Sequence, residues 1–406
     1  MIPRFRPPLK WKQIFKILGG AEVPLEDWEK RLAAAAGYAH AVWFPYGRVA
    51  VKAYFESQSG NAHAVLSPFN CSALLAGLLS ARVNISYVDT EPTGFNQDPD
   101  LFLSALRVSK KRTGIIVHQW GIDPHLPVNA TPNPLLHDKA LCDLVSPVEH
   151  LKNDDAVLHS FGWGKPIASL HGAALFTNFA PAAARWKTWQ QTNLLPALPT
   201  RDFAECVALK LAFQPLLFGV TQQIAGSLPP ARQLSGNTAG GGTSLPGNWN
   251  RLVSESIFQM AWEQIETQIK NSAKRIEIND HYSTLLQPLT GVLALPPTGI
   301  PLSHYPVRLQ NRDGLHKHLL RSGIFSSNRL FNRLLSDLAP NQNSKRDFPN
   351  ARRLCAETLH LPLYPSLGIA EQRTIAAAIS EWCRQQEREK SCYSITTDVS
   401  SSTIRS

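Results

Sequence analysis

The chain has 406 residues, 43% of them hydrophobic and 18% charged, with a formal net charge of +10. That balance is one of a packed globular protein; it excludes wholesale disorder and allows one large domain with a smaller companion. No apolar run approaches the roughly 20 residues that a membrane helix needs.

Residues 1–20 read as a basic, proline-bearing arm that holds Arg4, Arg6, Lys10, Lys12 and Lys16 with no acid before Glu22. Two readings of that charge stand: attraction for a diphosphate, or a solvated tail that clasps a second copy of the chain. The start lacks the apolar core and cleavage site of a secretory leader. Beyond the arm there is no dense basic block with interleaved aromatics, so a nucleic-acid partner is not expected. Leu25 to Tyr38 predicts a helix, followed by the short segment Ala41-Val-Trp-Phe. Ala62-His-Ala-Val-Leu-Ser, Ile85-Ser-Tyr-Val-Asp and Thr113-Gly-Ile-Ile-Val-His read as strands, alternating with helical patterns at Cys71–Ala81 and Asp100–Val108. Short apolar runs alternating with helical ones imply crossover units, hence an α/β fold with a mostly parallel sheet.

Pro196–Gly247 is less regular, with an apolar helical pattern at Phe203–Phe218 and a loop at the glycine-rich run that starts at Gly236. Arg251 to His281 is the longest helical pattern, and a Pro/Gly-rich turn region near Gly291–Pro301 marks a boundary. The expected organisation is a basic arm (1–20), a large domain (21–290), a small C-terminal domain (291–389) and a tail (390–406) without fixed structure. Six scattered cysteines form no C-x-x-C pair, which reads as reduced thiols, no metal site and a cytoplasmic setting.

The most informative stretch is Asp155-Ala-Val-Leu-His-Ser-Phe-Gly-Trp-Gly-Lys165-Pro-Ile-Ala-Ser-Leu-His-Gly-Ala. A strand ends at Ser160-Phe161, a glycine-flanked turn follows, and Lys165 stands with no other charge within nine residues. A lysine in apolar surroundings loses hydration, its ammonium form is disfavoured, and the amine becomes a nucleophile near neutral pH. Such an amine can form a Schiff base with an aldehyde; the alternative at this stage is a loop lysine on the surface.

Ser160-Phe161-Gly-Trp-Gly-Lys165 resembles the cofactor-lysine motif of the DegT-like sugar aminotransferases, a group of fold type I pyridoxal-phosphate (PLP) enzymes. Other segments resemble that family in its order: Phe44-Pro-Tyr-Gly-Arg-Val, Tyr87-Val-Asp-Thr-Glu-Pro, Val117-His-Gln-Trp-Gly and Asp347-Phe-Pro-Asn-Ala-Arg-Arg. The resemblance implies a large PLP domain with a smaller C-terminal α/β domain. It also implies that Lys165 carries PLP as a Schiff base and shuttles the substrate proton, while a carboxylate keeps the pyridine nitrogen protonated. Asp138 matches that carboxylate, with Asp143 as the rival by spacing. Gly47, Arg48 and Ser160 match the phosphate-binding positions; Arg48 stands where threonine is common, and either pairs with phosphate or faces solvent. Leu141 and Cys71 fall at cofactor-flanking positions usually held by Gln or His and by a ring-stacking or small residue. Asn250, or Asn248, matches an asparagine that the family supplies from a partner subunit. Leu170-His171-Gly172-Ala173 departs from the family's Gly-Glu-Gly-Gly, and His118 and His171 are polar residues expected near the site.

What the resemblance implies for function is transamination within a homodimer. An amino-acid donor such as glutamate would aminate a nucleotide-linked keto sugar destined for polysaccharide or glycoconjugate. Two alternatives remain: a PLP enzyme of this type with a non-sugar substrate, and a non-catalytic homologue that binds or regulates.

Overall fold

The computed structural model describes residues 2–4, 10–19, 23–58, 62–127, 131–144, 147–162, 164–212, 242–339 and 347–402, with side chains up to 389. Two helices precede the sheet, α1 (Trp11–Lys16) and α2 (Leu25–Ala36); the second stops where Gly37 takes a left-handed φ of 76°. The alternating units then fold as β1 (His40–Phe44), α3 (Gly47–Glu56), β2 (His63–Leu66), α4 (Ser72–Ser80), β3 (Asn84–Tyr87), α5 (Pro99–Arg107) and β4 (Arg112–Val117). β5 (Leu135–Asp138), β6 (Ala156–Ser160) and β7 (Ala173–Thr177) complete a seven-stranded sheet ordered β1-β7-β6-β5-β4-β2-β3. β2 to β6 pair in parallel, and β7 runs antiparallel to β6 and to β1. The mostly parallel sheet is the α/β architecture expected from the alternation. Its central strands are nearly continuous apolar runs because helices cover both faces.

Beyond the sheet come α6 (Ala180–Asn193), α7 (Pro199–Ala212), α8 (Glu255–Ile265) and α9 (Gln268–Leu286). A second sheet of three antiparallel strands, β8 (Val292–Ala294), β9 (Tyr305–Leu309) and β10 (Thr358–Leu361), has the order β10-β9-β8. It is accompanied by α10 (Arg312–Arg321), α11 (Leu335–Leu338), α12 (Pro349–Glu357) and α13 (Ile369–Ser402). One apolar cluster runs from Phe44 and Trp120 to Tyr305 and Ile379, so the two lobes share a core. Ser303 N–H donates to the Trp120 carbonyl at 2.9 Å and pins the second lobe over the end of β4. No described helix is long and apolar enough to cross a membrane.

Three segments differ from the sequence expectation. The helical pattern at Arg251–His281 is two helices, because Thr267 leaves helical geometry and caps α9. Its N–H and hydroxyl both turn back to the Gln264 carbonyl, a local bonding that competes with helix continuation. In the arm, which one of the two readings took as a solvated tail, Ile14 and Ile17 are fully buried against Leu170, Cys206 and Met260. At the other end, the backbone of α13 continues to Ser402, into the tail expected to lack fixed structure. Ser and Thr cost a helix only a few tenths of a kcal/mol each once it is nucleated. Residues 213–218 of the expected Phe203–Phe218 helix, 236–241 of the glycine-rich loop and Trp163 lie outside the described residues.

Candidate active site

A cavity of about 280 Å³ opens where β4, β5 and β6 end. Val117, Asp138 and Ser160 reach it from the sheet, and His304 and Phe331 close it from the second lobe. Crossover connections leave the carboxyl ends of parallel strands open in this way, which is why ligands settle there.

Lys165 borders this cavity on a loop that is tied to itself. Its N–H donates to the Gly162 carbonyl at 3.1 Å, helped by Gly164 at a φ of 87°. Ser169 N–H and Oγ both donate to the Phe161 carbonyl, and Phe161 N–H donates to Gly172. Gln264 of α8 receives the Ala168 N–H at 2.9 Å. The Lys165 side chain is half-buried and faces the void. Burial pulls its pKa below the ordinary lysine value, opposed by Cys71, Asp138 and Cys142.

Asp138, the last residue of β5, is 7% exposed and accepts the Ala140 N–H at 3.0 Å. Burial raises its pKa, while the Ala140 N–H and Lys165 pull it down. The rival Asp143 is also buried but turns to α9, where it accepts from the Ser272 hydroxyl; it does not line the cavity.

Gly47 and Arg48 open α3 beside Ser160, at a helix start whose first N–H groups have no intrahelical acceptor. A Cβ on Gly47 would sit 3.9 Å from Ser160 Oγ. Arg48 lines the cavity and donates Nη1 to the Ser244 carbonyl at 3.1 Å, so its guanidinium is held at the rim. Cys71 caps α4 with its sulfur toward Ala73 N–H, and Leu141 adds an apolar patch. Asn70 Nδ2 and Gln119 Oε1 are buried without a hydrogen-bond partner among the described residues, and both residues line the cavity. Buried polar atoms without partners cost about 1–3 kcal/mol each, and here a polar ligand is placed to relieve them.

His118 and His171 both reach the cavity wall. His118 Nε2 lies 3.3 Å from His137 Nδ1, and burial holds both well on the neutral side, His137 at a pKa of about 3. His171 Nε2 lies 2.7 Å from Glu205 of α7, whose pKa the hydrogen bond from His171 takes to about 2. The His171 ring lies 4.8 Å from that of Tyr46, whose hydroxyl accepts from Asn248 Nδ2 at 2.8 Å. Asn248 thus approaches the cavity of its own chain. Asn250 does not line it, and its carbonyl accepts the Leu195 N–H at 2.6 Å. Sequence reasoning missed Asn70, Gln119, Glu205 and His304, and took Arg4 only as one charge of the basic arm. Asn70 and Gln119 adjoin residues already singled out; Arg4, Glu205 and His304 are placed by contacts distant in sequence.

Gly172 holds this wall in place. Its φ is 131°, and a Cβ there would come within 2.1 Å of the Trp43 ring. Gly172→Ala is expected to destabilise the protein by about 2–4 kcal/mol, combining backbone strain with overpacking. A urea midpoint lowered at unchanged slope would show it; an unchanged midpoint contradicts the packing described.

The lysine, the buried acid at a strand end, and the helix start with serine and arginine fit the phosphate-bearing aromatic aldehyde that the sequence resemblance implies. Comparison with known proteins adds to this. The sequence pattern of the DegT/DnrJ/EryC1/StrS aminotransferase family matches residues 253–380. A dTDP-4-dehydro-2,3,6-trideoxy-D-glucose 4-aminotransferase of Saccharopolyspora spinosa is 39% identical over 110 residues, 25% of this chain and 28% of that relative. The matched stretch therefore spans under a third of the relative's length. Among solved structures, a DegT DnrJ EryC1 StrS aminotransferase from Brucella abortus superposes with a TM-score of 0.68 at 17% identity, covering 92% of this chain and 94% of the other. NtdA from Bacillus subtilis, solved with bound cofactor PMP, has a TM-score of 0.69 at 14% identity, with coverages of 92% and 82%. At these identities the structures show the fold alone, shared with those two proteins over nearly the whole chain.

Proposed function

We propose that this chain, similar to the DegT/DnrJ/EryC1/StrS aminotransferases in residues 253–380 and in fold throughout, is a PLP-dependent aminotransferase. It moves an amino group from an amino acid such as glutamate to a nucleotide-linked keto sugar, as a cytoplasmic homodimer serving polysaccharide or glycoconjugate synthesis. One observation carries the reading: Lys165, Asp138 and the start of α3 with Ser160 converge on a single cavity.

The cofactor, when bound, supplies a ring that withdraws electrons from the carbon losing its proton. The chain's own residues do the rest. Lys165 holds the cofactor through its amine and moves the proton at the substrate carbon, a task its lowered pKa suits. Asp138 holds a proton on the pyridine nitrogen by charge-assisted hydrogen bonding. The α3 N–H groups, Ser160 and Arg48 bind the phosphate. The apolar wall of Leu141, Leu158 and Phe331 keeps water from the reacting atoms. Asn250 would serve the neighbouring subunit's site, whereas Asn248 approaches the site of its own chain. The residues 21–290 and 291–389 act as the two domains that enclose it, with the described arm residues Ile2, Ile14 and Ile17 packed against them.

The sugar-nucleotide assignment is supported by the name of the Saccharopolyspora relative and by the +10 charge. Its test is to aminate the cofactor with glutamate, remove the donor, and add keto-sugar nucleotides. Return of the original absorbance with a sugar nucleotide, at a rate well above that with the free sugar, is the expected result. Return with keto acids alone points to a non-sugar substrate.

A further inference from the structure

Two buried amides stand at the wall of the cavity with half of each group unused. Asn70 is 3% exposed and Gln119 is 2% exposed, and both belong to the lining. Asn70 precedes α4, and its Oδ1 accepts the Cys71 N–H at 2.6 Å. Gln119 follows β4, and its Nε2 donates to the Phe69 carbonyl at 3.0 Å. These backbone partners decide which end of each amide is oxygen and which is nitrogen. What remains is one donor, Asn70 Nδ2, and one acceptor, Gln119 Oε1, neither with a hydrogen-bond partner among the described residues.

Both amides are anchored on the segment Phe69–Cys71, so the unused donor and the unused acceptor share one neighbourhood. That neighbourhood adjoins the second lobe. The Phe69 ring lies 5.5 Å from that of Phe331, and Leu335 N–H donates to the Pro68 carbonyl at 2.8 Å. The chemistry of the pair narrows what it can bind. A phosphate or carboxylate only accepts and would face the Gln119 oxygen; an ammonium only donates and would face the Asn70 amide protons. A hydroxyl does both through one oxygen, accepting from Asn70 and donating to Gln119. Leu141, also in the lining, has no group that could serve such a hydroxyl instead. Unpaired polar atoms are costly in a desolvated wall, and one bound hydroxyl relieves both. We propose that Asn70 and Gln119 form a hydroxyl-binding site that helps select the ligand of this cavity. Under the aminotransferase reading, on which the inference rests, two ligands carry such a group: the cofactor on its ring, and the sugar of the second substrate.

The test titrates purified wild type, Asn70→Leu and Gln119→Met with two probes. Apoprotein receives pyridoxamine phosphate, which binds without a covalent link. Cofactor-loaded protein receives dTDP-glucose, with dTDP as the reference that lacks the sugar. In one of these two arms both substitutions are expected to weaken binding roughly ten- to a hundredfold. Weaker pyridoxamine phosphate binding, with the margin of dTDP-glucose over dTDP kept, assigns the hydroxyl to the cofactor. Unchanged pyridoxamine phosphate binding, with that margin lost, assigns it to the sugar. Unchanged affinities in both arms overturn the proposal, as does a loss shared equally by dTDP and dTDP-glucose. Should Asn70→Leu fail to fold, Gln119→Met decides by the same criteria. Wild-type protein that takes up no pyridoxamine phosphate overturns the functional reading itself; protein that takes it up and is indifferent to both substitutions overturns only the inference.

Discussion

Lys165→Ala is expected to reduce the glutamate half-reaction by on the order of 10³-fold or more, the scale of losing a positioned acid–base group. The loss should appear without unfolding. Lys165 borders a void and its ammonium is desolvated, so its removal relieves a buried charge and takes away little packing. The variant should melt close to wild type and still take up the cofactor without a covalent link, through the start of α3, Ser160 and Arg48. A high concentration of a small amine is expected to restore part of the rate, because the missing function is proton transfer at a position now open. Single-turnover absorbance with and without added methylamine would check this. A variant that retains wild-type rates removes Lys165 from the chemistry.

Asp138→Asn should keep bound cofactor and lower transamination by roughly 10²–10³-fold, the range for losing one preorganised electrostatic contact. An amide cannot hold a proton on the pyridine nitrogen as a carboxylate does. A second effect has the opposite character. Asp138 raises the pKa of Lys165 against the lowering by burial, so its neutralisation moves that pKa further down. The pH profile of cofactor attachment to the apoprotein should therefore shift to lower pH in Asp138→Asn while turnover collapses. Asp143→Asn is expected to leave both measurements near wild type and to lower stability, because Asp143 is hydrogen-bonded to Ser272 away from the cavity. If Asp143→Asn abolishes turnover and Asp138→Asn does not, the carboxylate has been placed on the wrong residue.

How much of this could be read from the sequence depended on range. The crossover units were legible because periodicity is local: β4 and β5 are apolar runs that end at Val117 and Asp138, and turn residues punctuate them. Lys165 was visible as a charge isolated in an apolar, glycine-flanked segment. Its meeting with Asp138 was expected from the family resemblance alone; its physical cause is the parallel pairing of β5 and β6, with Asp138 opposite Leu158. Glu29 shows the same limit. In an amphipathic helix it reads as a surface acid, yet it is 5% exposed and accepts from Trp43 N–H, Lys187 and Gln190. Those partners converge only when β1 packs between α2 and α6. His171 was noticed as a departure from a family pattern; Glu205, which orients it, comes from a separate helix. Arg4 belongs to an arm whose composition suggests a tail, and only its pairing beside Ile324 brings it inside. Local chemistry was thus readable, and contacts between segments distant in sequence were not.

The central claim is that Lys165 is the residue to which the cofactor is bound. Reduction of the purified protein with borohydride, followed by peptide mass spectrometry, tests it without dependence on the sugar, the donor or the oligomeric state. The account predicts a stable pyridoxyl-phosphate adduct on the peptide that contains Lys165, absent from Lys165→Ala. An adduct on another lysine, or no adduct on protein supplied with the cofactor, would contradict it.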